Sequence, residues 1–159
     1  MEVVSNEELQ DSGGEGLNSS LSQLCGFKIK GDYYAISVLD VQEVIKPQPL
    51  TTVPLSPEYV KGLINLRGQI VTSVSLRRLF KMEDNECDDH MNIIVRNGDS
   101  LYALMVDEIL DVIDVEEKTF ESIPETINDN IKKYIKGVYK LESNLLILLD
   151  LEKVLSVDV

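Results

Sequence analysis

The sequence contains an internal repeat: residues 34–45 read Tyr-Ala-Ile-Ser-Val-Leu-Asp-Val-Gln-Glu-Val-Ile, and residues 102–113 read Tyr-Ala-Leu-Met-Val-Asp-Glu-Ile-Leu-Asp-Val-Ile. Further along, residues 61–80 align without a gap with residues 136–155. Self-similarity of this kind constrains the architecture more than any single motif does. Because only two copies are present, a stacked solenoid is disfavoured. The repeat predicts two similar small subdomains packed together.

Each copy opens with the pattern of a β-hairpin. In the first copy apolar and polar residues alternate on both sides of a turn at residues 31–32, and in the second they flank Asn97-Gly98, whose residue types suit a tight turn. Val41, Val44 and Ile45 are then spaced i, i+3, i+4, which fits either a helical turn or a bulged strand.

Taken along its whole length, the pattern of each copy predicts about five short strands and small helical pieces. This pattern predicts an all-β fold with short helices, built from two similar five-stranded β-barrel subdomains packed together. We expect the first subdomain to span about residues 24–82 and the second about residues 90–156. Residues 1–22 carry several Gly, Ser and Glu and no periodicity, so a disordered tail is predicted there.

The net charge of −13 is unevenly distributed. Residues 24–80 hold seven basic and four acidic residues, whereas residues 81–159 hold eight basic and nineteen acidic ones. Phosphate binding needs a positive surface, so a nucleic-acid partner is disfavoured. No apolar run reaches the length that spans a bilayer and no signal peptide is visible, so we expect no membrane insertion and a cytoplasmic protein.

A search for catalytic chemistry finds few candidates. There is one histidine, no phosphate-binding glycine loop, and no metal-ligand pattern at either cysteine. Asp107, Asp111 and Asp114 would lie near one another if their segment were helical, and they could then form an acid–base pair or a cation site. A solvated acidic face is the alternative that the residues favour. We expect no enzyme activity, no cofactor and no metal.

The residues that remain are suited to contacts with other proteins. Arg67 is predicted at the tip of a hairpin beside Gly68, and its counterpart in the second copy is Glu142, so the repeat does not require an arginine there. A guanidinium on a rigid turn can donate to carboxylates or helix ends. A solvated turn residue is the plainer alternative. For Val41 and Ile45 the corresponding alternatives are a groove contact and core packing.

Residues 62–71, Gly-Leu-Ile-Asn-Leu-Arg-Gly-Gln-Ile-Val, resemble the signature of the CheW family of bacterial chemotaxis coupling proteins. Residues 34–45, Leu76-Arg77 and Val106-Asp107 fit the same family pattern, and the resemblance covers about residues 24–156. Many family members have Pro near Thr72 and Asp at Ser75. The residues of this chain suit a strand and a helix cap, so we expect only local adjustment.

The resemblance implies two intertwined SH3-like barrels and an adaptor without catalysis. Its partners would be the cytoplasmic tip of a chemoreceptor (a methyl-accepting chemotaxis protein) and the regulatory domain of the histidine kinase CheA. The free protein would be a monomer that is recruited to receptor arrays at the membrane. The kinase-binding face is not implied. The residues that would line or support the receptor groove are Val41, Glu43, Ile45, Gly62, Asn65, Arg67 and Gly68.

Two other functions stay open on the sequence alone. Another SH3-like interaction module would need an aromatic groove for proline-rich ligands, and an enzyme would need a pocket where Asp107, Asp111 and Asp114 converge. The receptor class, the affinities and the number of related couplers cannot be read from one sequence.

Overall fold

The structure is a computed structural model that describes residues 21–83 and 90–156. Most of the predicted disordered tail lies outside these residues. The described part contains eleven strands, three short α-helices and two 3-10 turns, Val38–Asp40 and Glu117–Thr119. The strands are β1 (Leu21–Ile29), β2 (Asp32–Ser37), β3 (Val41–Ile45), β4 (Val60–Leu66), β5 (Gln69–Ser75), β6 (Met91–Asn97), β7 (Ser100–Val106), β8 (Glu108–Glu116), β9 (Phe120–Glu121), β10 (Ile135–Lys140) and β11 (Leu145–Leu149). The helices are α1 (Leu76–Leu79), α2 (Asp129–Lys132) and α3 (Leu151–Leu155).

The strands form two sheets, which confirms the predicted all-β class with short helices. The five-stranded sheet has the order β3-β6-β7-β5-β4. The six-stranded sheet has the order β8-β1-β2-β11-β10-β9, and the short β9 supplies the strand beyond the predicted five. Two pairings are parallel, β2 with β11 and β5 with β7, and the others are antiparallel.

Each sheet takes strands from both copies of the repeat. The first hairpin, β1–β2, lies in the six-stranded sheet beside strands of the second copy, and the second hairpin, β6–β7, lies in the five-stranded sheet beside strands of the first. The chain crosses between the sheets after β2 and again after β7. The intertwining that the family resemblance implied is therefore present, and each sheet is assembled across the sequence repeat.

The two halves share one internal symmetry, which the strand registers establish. Tyr33 of β2 lies opposite Leu146 of β11, and their repeat equivalents, Leu101 of β7 and Val71 of β5, also lie opposite each other. Bulges recur at equivalent places, in the β3–β6 and β1–β8 pairs and in the β4–β5 and β10–β11 pairs. The i, i+3, i+4 spacing after each hairpin thus belongs to a bulged strand, because a bulge adds one residue to the two-residue alternation.

The hydrophobic core joins residues from both sheets. Four aromatic rings form a column through it, from Phe27 through Tyr34 and Phe80 to Tyr134, with centroid separations of 6.1, 5.7 and 5.7 Å. The first three are fully buried, and Tyr134 is 6% exposed. Neighbouring aromatic rings contribute roughly 0.5–1.5 kcal/mol beyond the area they bury.

The hairpin turns differ by one residue from the prediction. Ile29 pairs with Asp32 and Asn97 pairs with Ser100, so the turns are residues 30–31 and 98–99. Burial of alternate residues fixes these registers, because a shift by one residue would turn each apolar face outward. The two departures from the family pattern behave as expected: Thr72 lies within β5, and the Ser75 side chain caps α1 by accepting from the Arg78 N–H at 3.3 Å.

Gly137→Ala should destabilise the protein, because the close approach of β9 to β10 leaves no room for a methyl group. A Cβ at Gly137 would lie 2.7 Å from the Glu121 carbonyl oxygen and 2.3 Å from the Phe120 ring. We expect a loss of about 2–3 kcal/mol in unfolding free energy, measured by urea denaturation. Gly26→Ala is the control, since its Cβ meets chiefly the mobile end of the Ile113 side chain, at 2.8 Å. An equal loss in both variants would contradict this explanation.

Candidate functional site

Arg67 lies at the tip of the β4–β5 hairpin in an unusual backbone conformation. Arg67 and Gly68 have φ values of 50° and 89°. Both are positive, as the two central residues of a type I′ turn require. The Asn65 side chain stabilises this turn by accepting from the Gly68 N–H at 3.0 Å. Glycine adopts the conformation freely, whereas an arginine there costs roughly 1–2 kcal/mol. Residues held in such conformations are concentrated at functional sites.

The Arg67 guanidinium forms an ion pair with Glu43, through Nη2 and Oε2. Glu43 belongs to β3 and Arg67 follows β4, and these strands are the opposite edges of the five-stranded sheet. The sheet is therefore curled so that its two edges approach each other. The Arg67 side chain is 67% exposed and that of Glu43 is 30% exposed. A partner can therefore reach the guanidinium directly.

Glu43 and Ile45 lie on one face of β3, whereas the bulge between Val41 and Glu43 places Val41 on the other face, opposite Val95. Val41, Glu43 and Ile45 are half-buried, and Gln42 and Val44 are exposed. Ile45 packs against a small cluster that includes Ile64 and Leu66, and Val41 packs against the main core. Both side chains therefore contribute to packing, and each keeps part of its surface outside.

Gly62 lies in β4, the strand that leads to Arg67, and allows a neighbouring segment to pack closely against that strand. After β3 the chain runs along the outer edge of β4, where Thr51 and Leu63 exchange backbone hydrogen bonds of 2.9 and 2.8 Å. A Cβ at Gly62 would lie 2.7 Å from the Thr51 carbonyl oxygen. The glycine thus permits this close approach. Of the seven predicted residues, Glu43, Asn65, Arg67 and Gly68 meet through hydrogen bonds, while Val41, Ile45 and Gly62 belong to the supporting strands.

The structure does not bring Asp107, Asp111 and Asp114 together as a helix would. Asp107 precedes β8 and the other two lie within it, so the segment is extended and, of the two alternatives, the bulged strand is the one present. Asp114 accepts from the Gln23 side chain at 3.2 Å. Across residues 21–83 and 90–156, no three His, Cys, Asp or Glu residues are grouped as a metal site would require.

Asp107 instead forms an ionic clamp between the sheets, which sequence reasoning missed. Arg77 of α1 donates to both carboxylate oxygens, from Nε at 2.9 Å and from Nη2 at 2.5 Å. The backbone N–H of Lys30, in the β1–β2 turn, donates to the same carboxylate at 2.8 Å. We call this set, Arg77, Asp107 and Lys30, the clamp. Its signal in the sequence is that Arg77 and Asp107 both differ from their repeat counterparts.

The clamp lowers the pKa of Asp107. Partial burial alone would raise this pKa, because it disfavours the charged carboxylate. The hydrogen bonds from Arg77 and from the Lys30 N–H, together with the positive charge of Arg77 and a smaller contribution from His90, outweigh the burial and hold the pKa below its usual range. The carboxylate is therefore charged at neutral pH.

A cavity of about 790 Å³ lies where the chain crosses from β2 to β3. It is lined by that crossing, the start of β1, the β6–β7 turn, α3 and neighbouring residues. None of the seven predicted site residues lines it, and neither does Asp107, Asp111 or Asp114. The sequence alone gave no indication of this cavity.

Comparison with known proteins identifies the family of this chain. The family model described as "CheW-like domain" matches residues 23–159. The chain belongs to the CheW-like family. It is 36% identical over 130 residues to the chemotaxis protein CheW of Bacillus subtilis, covering 81% of this chain and 83% of that one. It is 32% identical over 142 residues to CheW of Helicobacter pylori, covering 89% of this chain and 86% of that one.

A solved structure of a CheW-like protein shares the fold. The crystal structure of the scaffolding protein TtCheW from Thermoanaerobacter tengcongensis superimposes with a TM-score of 0.74 at 27% identity, over 82% of this chain and 89% of that one. The family membership that the sequence resemblance indicated is confirmed. Among the described residues, no helix has the length and apolar character needed to cross a membrane.

Asp107→Asn should remove most of the stabilisation that the clamp provides, because a neutral amide cannot pair with the Arg77 guanidinium. We expect a loss of about 2–3 kcal/mol in unfolding free energy at pH 7. Since the folded pKa of Asp107 is lowered, the wild-type advantage is fully present above the unfolded value of about 3.9 and disappears as the pH falls through the folded value. Urea titrations from pH 7 to pH 2 measure this difference. Asp129→Asn, at a carboxylate that is 95% exposed, should have little effect at any pH.

Arg67→Asn should give a more stable protein than Arg67→Ala. Both variants lose the ion pair with Glu43, but asparagine tolerates a positive φ better than alanine does. We expect a difference of about 1 kcal/mol in unfolding free energy. Arg96, near the end of β6, provides the control pair, since asparagine has no such advantage in a strand. If Arg67→Ala were the more stable of the two, the strain assigned to this turn would be refuted.

Proposed function

We propose that this chain is a non-catalytic adaptor that couples the cytoplasmic tips of chemoreceptors to the regulatory domain of the histidine kinase CheA. Membership of the CheW-like family supports the general role. The observation that carries the receptor contact is an exposed arginine in a left-handed turn conformation, at a position where the repeat does not require one. Lys30 and Lys81 also combine exposure with a positive φ, so the feature that distinguishes Arg67 is a guanidinium held beside Glu43 at the edge of the sheet.

The docking surface would consist of the exposed parts of Glu43 and Ile45 on one face of β3 and of Arg67 on the β4–β5 turn. Val41, beyond the bulge and on the other face, would support β3 from the core side. A receptor helix would lay its apolar face against the β3 side chains, as amphipathic helices do in apolar grooves. Arg67 would donate to a carboxylate or to helix-end carbonyls of the receptor. Asn65, Gly68 and Gly62 would act indirectly, by holding the turn and β4 in place.

Glu43 has a second role in this arrangement. In the free protein its carboxylate holds the Arg67 side chain along the edge of the sheet, which reduces the number of rotamers that must be ordered on binding. A receptor contact of this kind would be modest in area, and many copies in an array would supply the overall strength. The protein would be cytoplasmic, monomeric when free, and recruited to arrays at the membrane.

Arg67→Ala should weaken binding to a purified receptor-tip fragment by about 1–3 kcal/mol, or roughly five- to 150-fold, if the guanidinium anchors the contact. Binding to the CheA regulatory domain should be unchanged. Isothermal titration calorimetry with each partner measures both. Arg67→Asn should bind the receptor as weakly as Arg67→Ala although it is the better folded of the two.

Lys30→Ala is the matched control, because Lys30 and Gly31 form a turn with similar backbone angles in the β1–β2 hairpin, with φ values of 53° and 85°. It should bind both partners normally. Equal loss of receptor binding in Lys30→Ala and Arg67→Ala would refute the specific role of Arg67. Failure of the folded wild-type protein to bind either partner would refute the proposed function altogether.

A further inference from the structure

The cavity occupies the place that the clamp fills in the other half of the molecule. The gapless alignment of residues 61–80 with 136–155 makes Glu152 the equivalent of Arg77, and that of residues 34–45 with 102–113 makes Leu39 the equivalent of Asp107. The hairpin registers make Gly98 the equivalent of Lys30. Glu152 and Gly98 line the cavity, and Leu39 lies on the crossing that also lines it.

A short helix, a hairpin turn and a chain crossing thus meet once in each half of the molecule. In one half a guanidinium of the chain itself fills the space between them and binds a carboxylate. In the other half the residue at the arginine position is an acid, and the residue at the acid position is a leucine that is 91% exposed. At the position equivalent to Arg77 the chain therefore supplies no guanidinium, and the space is open as the cavity, whose nearest arginine, Arg96, comes from β6.

The charges around the cavity favour a cation. Its lining includes the carboxylates Asp40, Glu117, Asp150 and Glu152, against the two cations Arg96 and Lys136. Asp150 caps α3 by accepting from the Lys153 N–H at 3.3 Å, and Glu117 accepts from the Ser22 hydroxyl at 3.1 Å. Asp40 and Glu152 form no ion pair within the described ranges.

We propose that this cavity is a binding site for an arginine side chain presented by a protein partner. The guanidinium would occupy the position equivalent to that of Arg77 in the clamp and would bind the carboxylates of Glu152 and Asp40. A planar guanidinium suits two carboxylates because its donors point in fixed directions. This site is separate from the Arg67 surface and does not depend on the proposed receptor contact.

A segment of protein fits the cavity better than free arginine does. The cavity is large enough for a drug-sized ligand, so a single side chain would fill only part of it. Leu24, Phe120 and Leu148 contribute apolar surface to the lining. Apolar residues on either side of the arginine would cover this surface, which a free amino acid with two charged termini would not.

The test is a titration of the ¹⁵N-labelled full chain with acetyl-Leu-Arg-Leu-amide, followed by NMR. We expect saturable shifts at Gly98, Asp40 and Glu152 with a dissociation constant on the order of 1 mM. The same peptide with citrulline in place of arginine, a neutral analogue of the same shape, should bind at least tenfold more weakly. Free L-arginine should also bind more weakly than the arginine peptide.

Two variants locate the site. Glu152→Gln should weaken peptide binding about tenfold. Glu152→Arg should abolish it, because it supplies the guanidinium from the chain as Arg77 does in the clamp. Asp111→Asn makes the same charge change on an exposed strand residue outside the cavity and should leave binding unchanged. The unfolding midpoint of each variant shows that it is folded.

Three results would overturn the proposal. Equal affinity for the citrulline peptide would show that no guanidinium is recognised. Equal weakening by Glu152→Gln and Asp111→Asn would show attraction to the overall negative charge. Free L-arginine binding as tightly as the peptide would assign the site to a small molecule.

Discussion

The two parallel strand pairings, β2 with β11 and β7 with β5, hold the molecule together. Each pairing attaches a hairpin from one copy of the repeat to strands of the other copy. A subdomain of about sixty residues is near the lower size limit for a stable core of its own. Exchanging hairpins removes this limit, because the apolar faces of both sheets then meet in one core with the aromatic column of Phe27, Tyr34, Phe80 and Tyr134. The short helices and the clamp are arranged around this exchange.

The same constraint accounts for the glycines and bulges that the two copies share. Gly62 and Gly137 follow bulged positions in β4 and β10, and at each of them a neighbouring backbone passes too close for a side chain. Where the two copies carry different residues, the shared fold requires neither of them. Arg67 against Glu142, Arg77 against Glu152 and Asp107 against Leu39 are such differences. The proposed receptor contact and the ionic clamp are found at these positions.

Much of the fold could be predicted from the sequence because the repeat and the alternation of apolar residues are strong local patterns. The hairpins and the cap at Ser75 follow from them, whereas the spacing after each hairpin left a helical turn and a bulged strand as alternatives. The hairpin exchange does not follow from periodicity, because a period shows which residues face inward and not which strand lies beside them. Only the family resemblance implied it. The turn at residues 98–99 was predicted one residue early because Asn-Gly suits a tight turn, whereas the register depends on burial along the whole strand.

The candidate site also has one part that the sequence predicts and another that it does not. That Arg67 would lie on a tight turn was readable from Arg67-Gly68, but its contact with Glu43 depends on the curling of the sheet. The clamp and the cavity involve residues that are distant in sequence, so no local pattern reveals them. A comparison of the two copies at Arg77 and Asp107 would have drawn attention to both.

The hairpin exchange also affects how the protein is made. During synthesis β1 and β2 leave the ribosome first, yet the strand that lies beside β2 is β11, near the other end of the sequence. The partner of β1 is β8, so both edges of this apolar hairpin are unpaired until β8 emerges, and the β2 edge stays unpaired until β11 does. Such edges are prone to aggregation, and contacts between residues far apart in sequence form slowly. The six-stranded sheet therefore stays incomplete for most of the time that translation takes.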